Sequence, residues 1–129
     1  MAPDEATVIA AARACVGARF RLHGRFPANG LDCIGLAAVA YGRDRVPTGY
    51  ALRGGDPARV AAGIEAAGFV PVEGAARPAD LLLLLPGPHQ LHLAILTDRG
   101  FIHADAGLRR VVEVPGPPPW PTLGRWRVA

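Results

Sequence analysis

The sequence contains no lysine: all 14 of its basic residues are arginine. Together with an abundance of Ala, Gly and Pro, this reads as the coding bias of a GC-rich genome and says nothing about activity. Charge is sparse, at 19% of residues, and the net charge is only +3. The arginines form no run, so a nucleic-acid partner is not expected. There are just two cysteines, Cys15 and Cys33, too few for a disulfide scaffold. No stretch is apolar for the length a membrane span needs, so membrane insertion is not expected. The first residues, Met1-Ala2-Pro3-Asp4-Glu5, lack the basic start of a signal peptide, and no export signal is expected. Against these absences stand a hydrophobic content of 50% and a length of 129 residues. Both suit one folded domain, residues 1–129, with a real core. Sixteen glycines and 13 prolines imply many turns and short elements.

Read in order, the chain places helices first and strands later. Asp4 to Val16 reads as a helix with Val8, Ile9, Ala12, Cys15 and Val16 on one face, ended by Gly17. Arg19 to Leu31 reads as a loop. Cys33 to Tyr41 is apolar almost all round, which predicts a central buried helix. Arg43 to Gly55 is irregular. Asp56-Pro57 starts a third helix that runs to Ala67, with Gly68 as its stop. Phe69 to Val72 reads as a short strand or extended connection. Leu81 to Leu85 is a short apolar run, His89 to Leu96 the next strand, and Phe101 to Asp105 returns after a turn at Thr97 to Gly100. Arg109 to Val114 is a further strand. Pro115 to Pro121 is too proline-rich for a sheet interior, and Arg125 to Val128 suits an edge strand. The expectation is an α+β fold with an antiparallel sheet.

The stretch Gly30 to Leu36 draws attention. Asp32 is a good N-cap, which puts Cys33 at the first helical position. The helix N-terminus favours thiolate over thiol there. The plainer reading is a small buried hydrophobe. Downstream, a four-residue loop at Thr97 to Gly100 sets Leu96 against Phe101. His92 and His103 then share one face as diagonal neighbours, with Asp105 across from His92. Cysteine, histidine and a polar orienter form the arrangement for nucleophilic attack on an acyl group. A zinc site of Cys33, His92 and His103 lacks the usual ligand spacings. His89 reads as a loop residue. Arg21, His23, Arg25 and Asn29 are candidates to line a cleft; a solvated loop explains them equally well.

Four segments now resemble a known family, the NlpC/P60 peptidases, which are papain-like cysteine hydrolases of bacterial cell-wall peptides. Leu31-Asp32-Cys33-Ile34-Gly35-Leu36 resembles their nucleophile motif, Asp-Cys-Ser-Gly-Leu. Ala79-Asp80-Leu81 resembles their Gly-Asp-Leu strand start, and His92-Leu93-Ala94-Ile95 their base motif. Phe101-Ile102-His103-Ala104 resembles the segment with the third residue. Order and spacing agree over roughly residues 5 to 114. The resemblance implies Cys33 as nucleophile, His92 as base and His103 as orienter. It implies cleavage of a stem-peptide amide between D-glutamate and the diamino acid, with no metal or organic cofactor. Ile34 stands where the family usually has Ser, which resembles the phage-tail branch, including gene-transfer-agent peptidases. Phe20 stands where a Tyr often helps hold the oxyanion, leaving the Cys33 N–H, with His23 or Arg21, to do more.

The expected protein is a peptidoglycan endopeptidase of papain-like α+β fold. Arg21, His23 and Arg25 are its candidate binders of substrate carboxylates. Synthesis in a bacterial cytoplasm and incorporation into a phage-like tail tip, among tail-tip proteins, would bring it to murein. Two alternatives stand beside this. One is a tail-tip adaptor that keeps the fold without the activity, docking through the proline-rich segment 115–129. The other is a cytosolic amidase acting on recycled wall peptides.

Overall fold

A computed structural model of the chain describes residues 3–42 and 55–128. The irregular stretch expected over 43–55 lies outside them, except for its last residue.

Three helices form where capping residues meet apolar periodicity. Helix α1 spans Glu5–Ala14, and Asp4 caps it by accepting the Thr7 N–H at 2.8 Å. Helix α2 spans Cys33–Tyr41; the Asp32 carboxylate accepts the Gly35 N–H, and Gly42 closes the helix in the left-handed region at φ 69°. Helix α3 spans Pro57–Ala66, with Asp56 as cap and proline at its start. Helix α2 carries no charged side chain and is buried over most of its length, as its all-round apolarity dictates.

The strands are β1 (Arg25–Phe26), β2 (Gly30–Leu31), β3 (Phe69–Pro71), β4 (Leu81–Gly87), β5 (Gln90–Leu96), β6 (Gly100–Asp105), β7 (Arg110–Pro115) and β8 (Thr122–Val128). The last six form one sheet in the order β3-β8-β4-β5-β6-β7, and every registered pair in it is antiparallel. The fold class is therefore α+β, as expected. Two details differ from expectation. The segment 19–31 is no plain loop but folds in part as the β1–β2 hairpin. The last strand is interior: β8 lies between β3 and β4. Its Arg125 and Arg127 find a buried partner in Asp80, which lets a charged strand sit inside the sheet.

Side-chain alternation divides the sheet into two apolar layers. Leu81, Leu83, Leu93, Ile95, Ile102 and Trp126 face the helices in the main core. Leu82, Leu84, Ala94 and Phe101 face the opposite side, where Leu96, Val114 and Trp120 pack against them. Two backbone positions explain small residues. An added Cβ at Gly35 would run into the Gly24 carbonyl oxygen, so the hairpin can approach the first turn of α2 only over glycine. Ala79 adopts φ 72°, a left-handed conformation that suits glycine, the residue of the resembling strand-start motif.

Candidate active site

Cys33 opens α2, and its thiol is almost wholly buried, at 5% exposure. The hairpin holds this helix end in place. Asp32 accepts three hydrogen bonds: from the Gly35 N–H at 2.8 Å, from the His23 backbone N–H at 2.8 Å, and from Arg25 Nη1 at 2.9 Å. Arg25 Nη1 also donates to the Gly24 carbonyl at 3.0 Å. This alters the expectation for Arg25, whose Nη1 is committed to Asp32 rather than presented to a substrate. Arg21 and His23 carry exposed side chains beside it, and His23 takes a positive φ of 62° to reach Asp32. Phe20 packs against the main core, where it offers no donor.

On the sheet, the turn at Thr97 to Gly100 gives the anticipated register. Leu96 pairs with Phe101 and Ile95 with Ile102. Thr97 Oγ1 accepts the N–H groups of Arg99 and Gly100, and Thr97 N–H bonds the Gly100 carbonyl at 2.9 Å, which fixes the turn. His92 and His103 come out on one face, as the register requires. Their rings meet directly, His92 Nε2 to His103 Nδ1 at 2.8 Å. Asp105 does not take the place foreseen for it opposite His92. It stands behind His103, with Oδ2 at 3.9 Å from Nε2.

The registered pairing of β5 and β6 ends at Ile95 and Ile102. Leu96 turns its N–H and C=O toward residues 79 and 80, so alternate residues such as Leu93 aim theirs away from β4. The Leu93 backbone faces the Cys33 sulfur there and acts to lower its pKa. The thiol thus sits against the backbone one residue from His92, where β5 has no registered partner on that side.

Electrostatics correct one expectation. Burial pushes the Cys33 thiol up to about 12, against hydrogen bonds from Leu93, Cys33 and Ile34 N–H groups, and the Asp32 carboxylate adds to the rise. Burial outweighs the helix N-terminus, so the resting group is a thiol and not the thiolate anticipated. Burial likewise lowers His92 to about 4, helped by His103 and opposed by Asp105. His103 is lowered by burial, again opposed by Asp105. Both rings are neutral at pH 7.

Trp120, not singled out from the sequence, packs against both rings. Its ring lies edge-on to His92 and His103, with centroids 6.2 and 5.7 Å away, and 6.0 Å from Phe101. The signal was present as a lone Trp in a proline-rich stretch. Within this stretch it is Trp120 that packs over the histidines. Among the described residues no group of three or more His, Cys, Asp or Glu is placed to hold a metal ion.

The arrangement can move a proton in line. If His103 carries its proton on Nε2, facing Asp105, its Nδ1 accepts from His92 Nε2–H. His92 Nδ1 then holds a free lone pair. That nitrogen is the base such a site has to offer.

The sequence matches no family model and no curated protein. Among solved structures, the chain is similar to the NlpC/p60 domain of the peptidoglycan hydrolase SagA. The TM-score is 0.53 and the identity 23%, over 98% of this chain and 99% of that one. The fold is thus the papain-like α+β fold of NlpC/P60 domains, as the motifs implied.

Proposed function

We propose that the protein is a cysteine peptidase that hydrolyses an amide in peptidoglycan stem peptides. The observation that carries this is the 2.8 Å bond between His92 and His103, with the Cys33 thiol against the Leu93 backbone one residue along β5 from His92. The similarity to a peptidoglycan hydrolase domain supports the choice of substrate. Cys33 is the nucleophile, His92 the base and His103 its orienting partner. Because both resting groups are neutral, His92 Nδ1 takes the thiol proton as sulfur attacks the carbonyl carbon. The backbone N–H of Cys33 faces the developing oxyanion, without help from Phe20. The imidazolium gives its proton to the leaving amine, and a thioester remains on Cys33. Water, deprotonated by His92, then releases the acid and restores the thiol. Arg21 and His23, exposed beside the helix start, are the groups for a substrate carboxylate.

Delivery by a phage-like tail tip is part of this reading, supported by the hydrophobic Ile34 after the cysteine. The second reading is a tail-tip adaptor without activity. A buried thiol held near 12 and the absence of a Tyr hydroxyl at Phe20 favour it.

Purified murein sacculi separate the two. The wild-type protein is expected to release soluble peptides bearing new amino and carboxyl ends, and Cys33→Ala none. Equal release by both, or none by either, removes the enzyme and leaves the adaptor.

A further inference from the structure

Asp105 closes β6 and begins the turn into β7. Its Oδ1 accepts two N–H groups of that turn, Gly107 at 2.8 Å and Leu108 at 3.2 Å. With Oδ1 held, Oδ2 is left facing His103 Nε2 at 3.9 Å. We propose that Asp105 is the outer positioning residue of this site, setting through His103 the ring protonation that leaves His92 Nδ1 free to take a proton. The inference rests on the peptidase reading for its consequence in catalysis, but not for its geometry.

The 3.9 Å gap is longer than a hydrogen bond, so the carboxylate acts through its charge. A negative group beside Nε2 favours the tautomer that points N–H at it and disfavours the one that points a lone pair. With Nε2 protonated, His103 Nδ1 must accept across the 2.8 Å contact, and His92 Nε2 must donate. The competing groups around His103 are few. His92 faces it from β5, and the rings of Phe101 and Trp120 flank it. Arg110, in register opposite Asp105 on β7, is exposed and makes no ion pair with it among the described residues. Asp105 is the charged group that bears on His103.

Asparagine at this position gives a sharp test, because its side-chain carbonyl oxygen still accepts the turn N–H groups and preserves the turn. Its amide then presents N–H to His103 Nε2. Loss of the negative charge and the reversed dipole there favour the proton of His103 on Nδ1 and with it the proton of His92 on Nδ1, the wrong nitrogen for a base. Long-range proton–nitrogen correlation of the ¹⁵N-labelled full chain at pH 7 reads this directly, with exposed His23 and His89 as references. The wild type is expected to show the rings of His92 and His103 both protonated on Nε2. Asp105→Asn is expected to show both on Nδ1. Nε2 of His103 unprotonated in the wild type, or unchanged tautomers in Asp105→Asn, overturns the assignment. The wild-type spectrum alone decides if the variant does not fold. With a purified stem peptide, Asp105→Asn should lower kcat by about 10–100-fold at unchanged KM, the range seen when an outer partner of a functional histidine is lost. A wild type without hydrolysis removes the peptidase reading and leaves the tautomer result standing.

Discussion

Replacing His92 by alanine is expected to slow peptide release from murein on the order of 10³–10⁶-fold, nearly as much as replacing Cys33. The reason lies in the resting state of the thiol. At about 12 it is protonated at pH 7, and burial keeps it so. A site with a preformed thiolate would keep some attack after losing its base. In the proposed reaction the proton leaves as sulfur attacks, and His92 Nδ1 is the nitrogen left to receive it, since Nε2 is engaged by His103. For the same reason Cys33→Ala and His92→Ala should not add when combined: each removes the same step. His103→Ala should be milder, about 10–100-fold, because it frees the ring of His92 without removing it. Steady-state rates on a purified stem peptide check the order. A His92→Ala protein within tenfold of wild type sinks the relay.

The second large effect is on stability. Asp80→Ala is expected to destabilise by about 2–3 kcal/mol, below the ~3–5 kcal/mol of a fully buried pair because both guanidiniums reach water. Asp80 is 1% exposed and takes Arg127 Nε at 2.7 Å, Arg125 Nη1 at 2.8 Å and the Arg77 N–H at 2.9 Å. The Asp80 carbonyl accepts the Leu96 N–H, and Tyr41 Oη donates to the Ala79 carbonyl at 2.7 Å. One short segment thus ties α2, β4, β5 and β8. Burial pushes the carboxyl up, but the hydrogen bonds from Arg127, Arg77 and Arg125 prevail and hold it below its usual range. The folded value lies below the unfolded one. The stabilisation is therefore complete above the unfolded value of about 3.9 and is lost as pH falls through the folded value. Thermal melts should show Tm lower by roughly 10 °C at pH 7 in Asp80→Ala, with the difference from wild type shrinking below pH 4. A constant difference down to pH 2 contradicts the ion-pair account.

Local chemistry was legible in the sequence where one turn or one cap decides it. Asp4, Asp32 and Asp56 each cap the helix they precede. The four-residue loop before Phe101 put His92 and His103 on one face, and their ring contact follows from that register. Tertiary effects were not legible. Arg125 to Val128 read as an edge strand, whereas Asp80, some 45 residues earlier, makes an interior place possible. Helix-terminus reasoning gave Cys33 a thiolate; only the packed structure reveals the burial that overrides it. Arg25 read as a free cation, and its partner Asp32 seven residues on becomes visible only once the hairpin folds. Proline kept 116–121 out of the sheet, with Pro115 ending the edge strand β7, but could not reveal that Trp120 packs on the histidines.

Rapid acid quench during turnover of a purified stem peptide, followed by mass spectrometry of the digested protein, tests whether sulfur carries the acyl group. The account predicts a mass increment equal to the acyl fragment on the fragment containing Cys33, absent from Cys33→Ala. A Cys33 that stays unmodified throughout turnover, or peptide release that persists in Cys33→Ala, contradicts it.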